Sequence, residues 1–63
     1  MNKQLLQQAL AIENAAGLLT QATGNAAALL ADPVIAPVAK QALADATAAL
    51  AALTAALNPT PAS

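Results

Sequence analysis

The 63-residue chain has no cysteine, no histidine and no aromatic residue, and its charged side chains are two lysines and three acidic residues. Without cysteine there is neither a disulfide to reinforce a small fold nor a thiolate nucleophile. Without histidine the usual neutral-range acid–base group and the commonest metal ligand are both missing. The only serine is Ser63 at the end of the chain, and the carboxylates Glu13, Asp32 and Asp45 are too scattered to form a metal site. Gly17 and Gly24 stand inside a helical pattern, which excludes a phosphate-binding loop. The chain is therefore expected to be non-enzymatic, with no catalytic, metal or cofactor-binding residue and no cofactor. A formal net charge of −1 provides no basic footprint, so nucleic acid is not an expected partner.

What fills the space is alanine, at 21 of 63 positions, in a composition that is 59% hydrophobic. Alanine has the best helix propensity and loses no rotamer freedom on folding. A chain this short lies near the size at which a single core needs outside help. Few charges are available to cover the outer faces, so burial by other protein is expected.

Membrane insertion is disfavoured. The start Met1-Asn2-Lys3 with Leu5 and Leu6 resembles the opening of a secretory signal, but Gln7, Gln8, Glu13 and Asn14 interrupt any apolar stretch. The two most apolar windows, 9–31 and 34–57, carry Glu13, Asn14, Gln21 and Asn25 in the first, and Lys40, Gln41 and Asp45 in the second. A spanning helix needs about 20 nearly uninterrupted apolar residues.

The pattern predicts an all-α single domain: helix 1 over about 3–31, a turn over 32–36, helix 2 over about 37–57 and an extended tail over 58–63. Asp32-Pro33 and Ala36-Pro37 supply the break, because proline has no N–H and pushes the preceding residue out of helical geometry. Asp32 is expected as a turn or capping residue, Pro37 in the first turn of helix 2, and Asn58 as a residue tolerant of left-handed geometry before the stop at Pro59.

Both helices carry a seam of alternating three- and four-residue spacings. In helix 2 it is Ala39, Leu43, Ala46, Leu50, Leu53 and Leu57. In helix 1 it runs from Leu5 and Ala9 through Ile12, Ala16, Leu19, Thr23, Ala26 and Leu30. Folding the chain at the prolines gives an antiparallel helical hairpin that pairs Leu30 with Ala39, Ala26 with Leu43, Thr23 with Ala46, Leu19 with Leu50, Ala16 with Leu53 and Ile12 with Leu57. Several of these pairs set a large residue against a small one.

That register leaves Leu5, Leu6 and Leu10 beyond the end of helix 2. A second face of helix 1 holds Gly17 and Gly24, each costing about 1 kcal/mol relative to alanine inside a helix. These five residues are the expected partner-binding set, a groove for another subunit's helix. Codon drift among Ala, Gly and Thr is the alternative account of the glycines. The polar stripe Lys3, Gln7, Asn14, Gln21 and Asn25 is narrow for a helix with one buried face, and Leu18 and Leu29 lie on its outer side.

Helix, two-proline turn and helix in that order is loosely similar to secretion-needle subunits, and the alanine content to mycobacterial secreted helical hairpins. The charged C-terminal helix of the first and the aromatic signal of the second are both lacking, so no residue is carried over. The expected function is that of a small structural subunit packing through Ala/Leu faces into a homo- or hetero-oligomer of protein subunits. A minor or cement-like component of a bacteriophage particle fits this, with a virion or cytoplasmic location. A membrane-active, holin-like or interfacial hairpin and a cytoplasmic helix-donating adaptor are the alternatives.

Overall fold

The computed structural model describes residues 1–61. It is all-helical, with α1 at Lys3–Gly24, α2 at Ala26–Ala31 and α3 at Ile35–Leu57, and no strand among the described residues. The chain divides into two units, one ending at Ala31 and one beginning at Asp32. Each is built from local hydrogen bonding.

In the first unit Asn2 starts α1. Its backbone is extended (φ −85°, ψ 110°), and its side-chain Oδ1 accepts from the Leu5 N–H at 3.1 Å. The Asn2 carbonyl accepts from the Leu6 N–H at 3.1 Å. This arrangement satisfies a donor that the first helical turn would otherwise leave without a partner. The side-chain hydroxyls of Thr20 and Thr23 donate back to the carbonyls of Ala16 and Leu19, both at 2.9 Å, so neither demands a partner elsewhere.

The expected continuous helix over 3–31 is instead interrupted at Asn25. There ψ is 12°, against about −42° in a regular helix. Three weak helix formers, Thr23, Gly24 and Asn25, stand consecutively at the break. The Asn25 N–H is shared between the carbonyls of Gln21 at 3.2 Å and Ala22 at 3.1 Å, while its side-chain Nδ2 donates to Gln21 at 3.3 Å. Helical bonding resumes at once, because the Leu29 N–H donates to the Asn25 carbonyl at 3.0 Å.

In the second unit Asp32 is the cap the sequence suggests. Its Oδ1 accepts from Val34 N–H at 2.9 Å and Ile35 N–H at 3.2 Å, and its carbonyl accepts from Ala36 N–H at 2.8 Å. Pro33 lies in the turn just ahead of α3, where a missing N–H is harmless. Helix 2 therefore starts two residues earlier than the expected 37, and Pro37 stands in its first turn as expected. The turn is correspondingly shorter than 32–36. Val34 already has helical dihedrals (φ −84°, ψ −41°). Pro37 offers no N–H to the Pro33 carbonyl, so regular bonding is established only from Ile35.

At the far end Asn58 stops α3 without the expected left-handed geometry, since its φ is −124° and ψ 62°. Its N–H and Nδ2 both donate to the Thr54 carbonyl, at 3.0 and 3.1 Å. Pro59 disfavours helical dihedrals at Asn58 and so favours an end to the helix there. Of the expected extended tail, Asn58 to Pro61 form neither helix nor strand, and Ala62 and Ser63 lie outside the described residues.

Asp32 offers a first test. Asp32→Ala should cost about 1 kcal/mol of α3 stability, the usual loss for an N-cap. The readout is a fall in helical circular dichroism at 222 nm together with faster amide exchange at Val34 and Ile35. Asp32→Asn should retain most of both signals.

Candidate packing interface

Among the described residues none is buried. Every apolar side chain of α1 and α3 that could form a core remains at least partly in contact with solvent. Burial of apolar surface is the main favourable term in folding and association, so these faces are where any interface must be sought.

On α3 the seam residues form one stripe. Ala39, Ala46 and Leu53 are half-buried, at intervals of seven residues, whereas Leu43, Leu50 and Leu57 beside them are 60%, 53% and 64% exposed. Each short alanine has bulkier neighbours a turn away: Ala46 has Leu43 at i−3 and Leu50 at i+4. Projecting leucines around small residues are the knobs and holes that helix packing uses.

On the first unit Ile12, Ala16, Leu19 and Thr23 lie on α1, while Ala26 and Leu30 lie on α2 beyond the break. The seven-residue logic assumes an unbroken helix, and here it is interrupted. Leu30, assigned to the seam, is 61% exposed, whereas Leu29, assigned to the outer side, is half-buried.

The expected partner-binding residues all fall on α1. Leu5, Leu6 and Leu10 are 60%, 40% and 57% exposed in its first turns. A methyl group built on Gly17 or Gly24 would meet nothing within 4 Å. Neither glycine has positive φ, so neither is required by backbone geometry. Leu18 is 56% exposed, in keeping with an α1 that is apolar over most of its circumference.

Polar chemistry is sparse. Gln41 Nε2 donates to Asp45 Oδ1 at 3.0 Å, an i,i+4 pair along α3. A shallow, open depression beside it is lined by Pro37, Val38, Gln41, Ala42 and Asp45. A single carboxylate already accepting from its neighbour offers no nucleophile–base pair there. No group of three or more His, Cys, Asp or Glu gathers among the described residues. Among those residues, no helix is long and apolar enough to cross a membrane.

Pattern reading missed two residues, Asn2 and Asn25. Asn2 could have been found, because an asparagine just before a run of helix formers is a capping signal. Asn25 carried a weaker one, its position directly after Thr23 and Gly24.

Neither a known protein family, nor a curated protein, nor a solved structure matches the chain. Helix capping, face composition and exposure are accordingly the grounds for a functional reading.

Proposed function

We propose that the chain is a non-enzymatic structural subunit, folded back as an antiparallel hairpin and completed by packing its Ala/Leu faces against other protein. The carrying observation is the coexistence of well-capped helices with no buried residue among those described. In proteins most helical stability comes from packing an apolar face and not from propensity alone, so helices with no buried face call for a partner. Pairing the α3 stripe with Ile12, Ala16, Leu19, Thr23, Ala26 and Leu30 would cover one face of each helix. Leu5, Leu6, Leu10 and the glycine face would then meet further subunits. A minor or cement-like position in a bacteriophage particle is the setting to which this reading extends, since a small, nearly uncharged helical element can fill space between larger subunits.

Light scattering coupled to size exclusion provides the test, with concentration read by refractive index because the chain has no aromatic chromophore. The expected result is a mass above the 6.1 kDa monomer and a melting temperature that rises with concentration. A well-folded monomer at micromolar concentration would overturn the proposal. Binding to lipid vesicles in preference to self-assembly would overturn it in favour of an interfacial hairpin.

A further inference from the structure

We propose that Thr23, Gly24 and Asn25 form a hinge that allows the segment from Lys3 to Ala31 to exchange between the interrupted state and a continuous helix. The geometry at the break is nearly balanced between the two. The Asn25 N–H lies 3.2 Å from the Gln21 carbonyl, the partner of an α-helix, and 3.1 Å from the Ala22 carbonyl, the partner of a tighter 3₁₀ turn. Moving from one to the other exchanges one hydrogen bond for another and leaves the Leu29 N–H on the Asn25 carbonyl.

Side chains do little to hold either state. Gly24 has none, and the space a Cβ would occupy is empty to 4 Å. The Asn25 amide donates to the Gln21 carbonyl at 3.3 Å, a bond long for its type. Just beyond the break Leu29 is half-buried and Leu30 is 61% exposed. Ile12, Ala16, Leu19, Thr23, Ala26 and Leu30 form one stripe only when the helix is continuous. Packing of that stripe therefore selects the continuous state, a consequence that rests on the structural-subunit reading above.

The hinge itself is tested by one substitution made at two places, with amide exchange followed residue by residue in the full chain at a concentration where it is monomeric. Asn14→Ala and Asn25→Ala bring the same gain in helix propensity, 11 positions apart. With a hinge, Asn14→Ala slows exchange on the α1 side but leaves Leu29 and Leu30 unchanged. Asn25→Ala slows those two amides, by about three-fold from propensity alone, and joins them to α1. Adding Gly24→Ala raises the effect to about ten-fold or more. Equal slowing of Leu29 and Leu30 by Asn14→Ala and Asn25→Ala would show one cooperative helix and overturn the hinge. In the assembled protein the step in protection at Asn25 should disappear. Its persistence there would overturn the coupling to packing, while a chain that is monomeric at every concentration would overturn the assembly reading and leave the hinge result intact.

Discussion

Replacing Leu43 and Leu50 together by glutamine should abolish assembly while leaving the helical content of the dissociated chain nearly unchanged. Leucine and glutamine have similar helix propensities, so α3 loses apolar surface without losing its tendency to coil. Both side chains are more than half exposed in the chain by itself. If they remained so in the functional state, the substitutions would fall within about 0.5 kcal/mol of neutral, as surface changes do. If they fill holes in a neighbouring helix, truncating a buried leucine typically costs about 2 to 5 kcal/mol, and two of them would reduce association by about a thousand-fold or more. Sedimentation or light scattering across a concentration series separates these outcomes cleanly. An unchanged mass and melting curve would mean that the α3 stripe is not a packing surface.

The second large effect belongs to the start of α1. Exchanging Leu5, Leu6 and Leu10 for glutamine should reduce the assembly to a smaller species yet preserve the fold of what remains. In the proposed hairpin, Ile12 is the last helix 1 residue with a partner, opposite Leu57, so the three earlier leucines contribute nothing within the chain. Their exposures of 60%, 40% and 57% leave surface for another subunit to cover. The Asn2 cap lies outside the substituted positions and keeps α1 nucleated. A variant that retains both the wild-type mass and the wild-type melt would remove these leucines from the interface. A variant that unfolds outright would mean they pack within the chain. Comparison with the Leu43/Leu50 variant is informative because that pair should disrupt hairpin and assembly together.

The parts of the structure legible in advance are those governed by a few neighbouring residues. Asp32 before Pro33 predicts a cap, and the observed bonds from Val34 and Ile35 to its carboxylate supply one. Asn58 before Pro59 predicts a stop, and α3 ends there, although Asn58 does not take up left-handed dihedrals. Pro37 stands in the first turn of α3, as its sequence context predicts, but the helix begins two residues ahead of it because the Asp32 carboxylate accepts from the Val34 and Ile35 N–H groups. The break at Asn25 was missed because periodicity sums over long windows, in which alanine and leucine outweigh three weak residues. Its cause is a local competition for the carbonyls of Gln21 and Ala22, invisible to a pattern of apolar positions.

Composition by itself determined that this chain is helical and carries almost no reactive chemistry, since alanine and leucine favour a helix wherever proline does not forbid it. The proposed seam positions are read from spacing alone. Only the three-dimensional structure decided that the first helix is divided at Asn25, because that outcome depends on how a single N–H is shared between two near-equal hydrogen-bond partners. It also decided that no described residue is buried, which follows from helices held together locally, by bonds between residues at most four apart.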